Sequence, residues 1–168
     1  MQQATQALVT LVERTSVHLS SFISVFDGKQ LMVDTGFIRL RSGAYRTAFT
    51  HKDYPDVVFK YDKHQQANLS ESEVWDASTP EQRKFLAELV YISENAHLLV
   101  MERIQYLADD EECSVTWAVR DSMERRILKA WKTPGTYNFA PFAGDLHVWN
   151  WGIGFDGRPK VIDYQTAG

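Results

Sequence analysis

Leu8, Leu11, Val12, Leu19, Phe22, Ile23 and Phe26 fall at helical spacing, three and four residues apart. The segment from Thr5 to Phe26 is therefore expected to be an amphipathic helix with one apolar face laid on a core. Asp27-Gly28 is expected to stop it. From Phe37 the texture changes to short β-favouring runs: Phe37-Ile38-Arg39-Leu40, then Tyr45 to Thr50, then Val57-Val58-Phe59-Lys60-Tyr61. Gly43 and the segment Lys52-Asp53-Tyr54-Pro55-Asp56 supply the turns between them, which predicts an antiparallel three-strand meander.

Asn68 or Ser70 is placed to cap a short helix running to about Asp76, and Ser78-Thr79-Pro80-Glu81 opens another with Pro80 at its first position. Ala96 to Met101 is nearly all apolar and reads as a buried strand, followed by Glu102-Arg103-Ile104 and the acidic loop Asp109 to Glu112. Val115, Val119, Met123, Ile127 and Trp131 repeat every fourth position, so Val115 to Trp131 reads as a helix whose stripe belongs to a core. Beyond Thr133-Pro134-Gly135 the chain is loop-like until two short strands, Trp151 to Ile153 and Pro159 to Ile162, joined by a turn at Asp156-Gly157. No internal repeat or flexible linker interrupts this order, and the class is α+β.

Composition narrows the function classes. With 168 residues, 44% hydrophobic and 24% charged, one core can bury roughly 70% of the unfolded chain's surface without disulfides or a structural metal. Lys and Arg number 18 against 22 Asp and Glu, so there is no electrostatic footprint for nucleic acid or an anionic membrane, and neither is expected as a partner. Cys113 is the single cysteine, which excludes an internal disulfide and a Cys-based zinc site and points to a reducing, cytoplasmic compartment. Glu13, Arg14 and His18 interrupt the apolar stretch from Ala7 to Phe26, so neither a membrane span nor a signal peptide is expected there.

The chemistry concentrates near the end of the chain, in Gly144-Asp145-Leu146-His147-Val148-Trp149-Asn150 and in Val161-Ile162-Asp163-Tyr164. An Asp, an Asn five positions on, and a second Asp closing an apolar strand resemble the catalytic and metal-binding loops of protein kinases. Thirteen residues separate Asn150 from Asp163, enough for a strand out, a tight turn and a strand back, so the two side chains should emerge side by side. Two oxygen ligands from one hairpin suit a hard cation such as Mg²⁺, with phosphates and water completing its octahedron.

Upstream segments extend the resemblance in the order a kinase amino-terminal lobe requires. Val57-Val58-Phe59-Lys60 resembles the Val-Ala-Ile-Lys strand, and Ser42-Gly43-Ala44-Tyr45 stands where a glycine-rich loop would cover the phosphates. The helix after the lysine strand should supply a glutamate partner. Glu71 shares a helical face with Val74 and Trp75, whereas Glu73 shares one with Leu69 and Ala77, so Glu71 is preferred. Leu98 to Ile104 resembles the strand leading into the connection between lobes, where backbone groups of Met101, Glu102 and Ile104 would receive adenine. Leu40, Phe49, Val58 and Met101 would line the flat apolar site for the base.

The chain thus resembles the kinase-like phosphotransferase family, in particular its small phage-type and aminoglycoside-phosphotransferase-like branches, over about Phe37 to Tyr164. His147 in Gly144-Asp145-Leu146-His147 fits those branches, where eukaryotic protein kinases usually carry Lys. The resemblance implies a minimal bilobal kinase-like fold in one domain: a helical extension over 1–36, an antiparallel β-rich lobe over 37–104, and a truncated, mostly helical lobe over 105–168. It implies ATP and Mg²⁺ as cofactors. Asp145, Lys60 and Glu71 become the catalytic set, Gly43, Ala44, Tyr45, Val58, Lys60, Met101, Glu102 and Ile104 the nucleotide-binding set, and Asn150 and Asp163 the metal ligands. The expected reaction moves the γ-phosphate of Mg·ATP to a hydroxyl, with protein Ser/Thr preferred because little chain is left to enclose a small acceptor.

Several positions depart from the pattern. The loop over the phosphates keeps one glycine, with Arg41 and Arg46 at the flanking positions, where they could contact phosphate directly. Ala143 precedes the catalytic Asp, and Tyr164-Gln165 follows Asp163 in place of Phe-Gly. Only Tyr164 to Gly168 follow Asp163, so the helices that support a peptide substrate in larger kinases are expected to be missing. The amino-terminal helix is a candidate substitute for that support, and a second copy of the chain a candidate to cover the exposed apolar surface. The competing expectation is a pseudokinase-like module that binds a host or partner protein.

Overall fold

In a computed structural model, residues 4–21, 25–42, 46–105, 114–131 and 150–164 are described. They form an α+β structure in two compact units, Met1–Ser72 with Glu88–Arg103, and Glu73–Ala87 with Ile104–Gly168.

The first unit is built on a five-stranded antiparallel sheet of order β1-β2-β3-β5-β4. Its strands are β1 (Phe37–Ser42), β2 (Thr47–His51), β3 (Tyr54–Tyr61), β4 (Leu89–Ile92) and β5 (Leu98–Glu102). Side chains alternate between the faces of a strand, and the register follows from that alternation: Phe49 opposite Phe59, and Phe59 opposite Val100. Phe37, Phe49, Val57, Phe59, Tyr61, Leu98 and Val100 make one face of the sheet into the core of this unit. Phe37 meets Phe59 edge to face, ring centroids 5.0 Å apart.

Two helices cover that face, α1 (Gln6–Ser20) and α2 (Val25–Asp34). Leu8, Val12 and Leu19 of α1 and Met32 of α2 are buried in the same core, each contributing about 1.5 to 3 kcal/mol by leaving water. The helical periodicity is therefore real, and the amino-terminal helix completes the sheet's own core. It is not continuous to Phe26. Ser21 ends α1, its N–H donating to the carbonyls of His18 and Leu19. Asp27-Gly28 lies inside α2 and does not stop a helix. A Cβ at Gly28 would stand 2.1 Å from Tyr61 Oη, so this glycine permits close approach of helix to strand.

The meander forms as expected, with a shorter second turn: Lys52-Asp53 alone turns the chain, and Tyr54, Pro55 and Asp56 already belong to β3. Pro55 is tolerated because β3 pairs in register with β5 only from Val57 onward. The edge strand β4 has no counterpart in the sequence reading; Leu-Val-Tyr-Ile is half-buried at every position and shows no alternation to betray it. The helix after β3, α3 (Gln66–Ala77), starts before either predicted cap. Asp62 serves its first turn instead, Oδ1 accepting from His64 N at 2.8 Å and Oδ2 from Ala67 N at 2.9 Å.

The second unit holds the end of α3, α4 (Pro80–Arg83), α5 (Ser114–Trp131), β6 (Trp151–Ile153) and β7 (Pro159–Val161). Thr79 caps α4 in a reciprocal capping box with Gln82, with Pro80 in the first turn. Gln82 Nε2 donates to Ala130 O at 3.3 Å, and the Arg126 guanidinium lies 5.4 Å from the Phe85 ring centre. Val161 exchanges backbone hydrogen bonds with Phe85 and Ala87, each 2.8 Å. Ile127 and Trp131 are buried, as the four-residue stripe requires. No helix among the described residues is long and apolar enough to cross a membrane.

Candidate functional site

The sheet face away from α1 and α2 carries the polar centre. Ala48 stands opposite Lys60, and Lys60 opposite Leu99, so Lys60 projects from the middle of that face. Its Nζ lies 2.9 Å from Glu71 Oε1 and 3.0 Å from Oε2. Glu71 is fully buried on α3, while Glu73 is exposed. The geometry thus resolves the choice between the two glutamates, because one turn of helix carries Glu71 onto the sheet and Glu73 off it.

Arg46, the residue before β2, also ends on this carboxylate, its Nη1 donating to Glu71 Oε2. The same nitrogen lies 3.4 Å from Asn68 Oδ1. Asn68 Nδ2 in turn donates to Lys60 O at 3.2 Å and to Ala96 O at 2.9 Å. Arg46, Lys60, Asn68 and Glu71 are all at least nine-tenths buried. Taking such charges out of water is costly, and the cost is met only when each is hydrogen-bonded as well as paired. Asn68, read from sequence as a cap, is instead the strut fastening α3 to β3 and to the approach to β5. Arg46, placed by the sequence where it could contact phosphate, bonds Glu71.

Beside Lys60 the same face has apolar positions. Val58 pairs with Met101, Ile38 pairs with Thr50, and a bulge in β1 falls at Leu40. Ile38 and Leu40 are exposed, Val58 is half-buried and Met101 fully buried. Phe49 does not line this face. It pairs with Phe59 and belongs to the core under the helices, because it lies an odd number of residues from Ala48.

Past β5 the backbone is largely committed. Glu102 N donates to Glu88 O at 2.8 Å, Arg103 N to Asp56 O at 2.9 Å, and Gln105 N to Ile153 O at 2.8 Å. The Glu102 carboxylate accepts from Glu88 N at 3.1 Å. Ile104 is buried, and Gly152 is the reason it fits: a Cβ there would stand 2.3 Å from Gln105 O and 2.9 Å from Ile104 Cδ1.

In the second unit, β6 and β7 form the expected hairpin, turning at Gly157 with φ +74°. Asn150 precedes β6 and Asp163 follows β7, and Ile162 N donates to Asn150 O at 2.8 Å. The two residues therefore flank the open end of one hairpin, with Asn150 buried and Asp163 half-buried. Trp151 is a packing anchor, 2% exposed. Among the described residues no three His, Cys, Asp or Glu side chains gather as a metal site. Asp145, His147, Gly43, Ala44 and Tyr45 lie outside the described residues, as do Ala143, Trp149, Gln165, Cys113 and the acidic loop Asp109 to Glu112.

No family model matches the chain, and no curated protein matches it. Sequence reasoning put Phe49 on the wrong face of the sheet, read Asn68 as a cap, and did not find the contact of Arg46 with Glu71. Arg46 and Asn68 show in the sequence only as two polar residues near a strand lysine; the approach to β2 brings Arg46 to Glu71, and the first turn of α3 brings Asn68 to Arg46.

Proposed function

We propose that the chain is an ATP-dependent phosphotransferase of minimal kinase-like architecture, moving the γ-phosphate of Mg·ATP to a hydroxyl, with protein Ser or Thr the leading acceptor. The observation that carries this reading is the buried Lys60–Glu71 ion pair joining the third strand to the following helix. In kinases a lysine so placed holds the α- and β-phosphates, and the helix glutamate fixes the lysine. Support comes also from Val58 and Met101, which stand opposite each other on the same face and offer an apolar wall to a flat base. With the N–H groups of Glu102, Arg103 and Gln105 engaged, Ile104 N–H is the candidate donor to adenine.

In this reading Asp145 orients the acceptor hydroxyl and takes its proton as the acceptor oxygen bonds to the γ-phosphorus. The bridging bond to the β-phosphate breaks, and ADP leaves. Asn150 and Asp163 offer the oxygen donors that Mg²⁺ prefers, and the ion neutralises phosphate charge when bound. Most of the acceleration comes from positioning and charge stabilisation.

A pseudokinase-like binding module is the second reading, favoured by the burial of Arg46 on Glu71 where a kinase loop carries glycine. Transfer from γ-labelled ATP to a Ser/Thr peptide mixture separates the two. The phosphotransferase transfers label, and Asp145→Ala lowers the rate at least about 100-fold while leaving nucleotide binding intact. Nucleotide binding without transfer, or transfer indifferent to Asp145→Ala, sides with the binding module or overturns the assigned role.

A further inference from the structure

We propose that Asn68 is the positioning residue of the Lys60–Glu71 pair: with the pair intact, it fixes where the lysine ammonium stands for the phosphates of a nucleotide. This role rests on the phosphotransfer reading above.

Asn68 is fully buried, and both ends of its amide are engaged. Nδ2 donates to Lys60 O at 3.2 Å and to Ala96 O at 2.9 Å, and Oδ1 faces Arg46 Nη1 at 3.4 Å. An amide can be buried without loss only on such terms, whereas an apolar side chain of the same shape would fill the space with no partners to find. What the amide adds is location. One bond goes to the backbone of Lys60 itself. Glu71 follows Asn68 by three residues in α3, so the two lie one turn apart on the same helical face. Arg46, at the other end of the amide, bonds Glu71 Oε2. Asn68 is therefore joined to the lysine, to the helix that carries the glutamate and to the second cation on that carboxylate. Its remaining partner, Ala96, holds φ +56°, a left-handed conformation that alanine rarely takes, and the carbonyl of that residue ties the first turn of α3 to the approach to β5. Lys60 Nζ bonds both Glu71 oxygens, at 2.9 and 3.0 Å. An ammonium on a flexible stem is placed only as well as the carboxylate it bonds, and the carboxylate only as well as its helix.

Calorimetric titration with Mg·ATP and with adenosine tests this on the native protein, Asn68→Leu, Lys60→Met and the double variant. Asn68→Leu weakens Mg·ATP roughly 10-fold, less than Lys60→Met does, and leaves adenosine within about twofold of the native protein. Because Asn68 acts through the lysine, adding Asn68→Leu to Lys60→Met produces no further loss. A purely structural role would weaken both ligands together and would persist without the lysine. Asn68→Ser, with one hydroxyl in place of an amide that serves two carbonyls, is expected to give the same pattern and carries the test should Asn68→Leu not fold. Unchanged Mg·ATP affinity, an equal loss for adenosine, or the same loss repeated in the Lys60→Met background overturns this role alone. Absence of Mg·ATP binding by the native protein overturns the phosphotransfer reading and this role with it.

Discussion

Two glutamates two positions apart on one helix differ in everything that matters. Glu71 is buried beneath Lys60 and Arg46, and Glu73 faces water. Glu71→Ala leaves buried cations without their carboxylate and is expected to cost about 3 to 5 kcal/mol in urea denaturation. Glu73→Ala is expected to stay within about 0.5 kcal/mol of the native protein; equal losses would contradict the burial assigned here. Tyr91 provides a second test at this scale. Partial burial, its hydrogen bond to Glu13 and the nearby charges of Glu13 and Glu94 push its hydroxyl up from 10.0 to about 12, the bond to Glu13 Oε1 measuring 2.8 Å. Because the folded state holds this proton more tightly than the unfolded state, its stabilising contribution is complete below pH 10 and is lost as pH rises toward 12. Denaturation midpoints at pH 9 and pH 11 should therefore fall more in the native protein than in Tyr91→Phe.

Among the elements, those with a strong period or clear punctuation were legible from sequence: the β1–β3 meander, α5, the Thr79-Pro80 start of α4 and the β6–β7 hairpin. The elements that were not legible lacked a local signal. β4 is four apolar residues without alternation, and its strand character comes from pairing with β5. The break between α1 and α2 was hidden because apolar residues keep helical spacing across it, and Gly28 looked like a terminator although its task is contact with Tyr61. At the site, the spacing of Lys60 and Glu71 was readable, since a strand end and one helical turn determine it. The participation of Arg46 and Asn68 was not, because it depends on how the approach to β2 and the start of α3 turn them. Gly152 offers the cleanest element-scale test: Gly152→Ala forces a Cβ against Gln105 O and should cost about 1 to 3 kcal/mol. A neutral result in thermal unfolding would show that β6 and residues 104–105 are not packed as described.

For the whole molecule, the first unit supplies a sheet with a buried lysine–glutamate pair beside the apolar Val58 and Met101, and the second supplies a hairpin with an amide and a carboxylate at its open end. The phosphotransfer reading requires Lys60 for the phosphates and Asp163 for the Mg²⁺ of the nucleotide. Thermal unfolding with and without Mg·ATP, on the native protein and on Asp163→Asn, tests that requirement most directly. At a hundredfold the dissociation constant, bound ligand adds about 2.7 kcal/mol, a rise of roughly 5 to 10 °C for a chain of this size. The expected rise needs Mg²⁺ and is lost in Asp163→Asn. No rise at millimolar nucleotide, or the same rise in the variant, would contradict it.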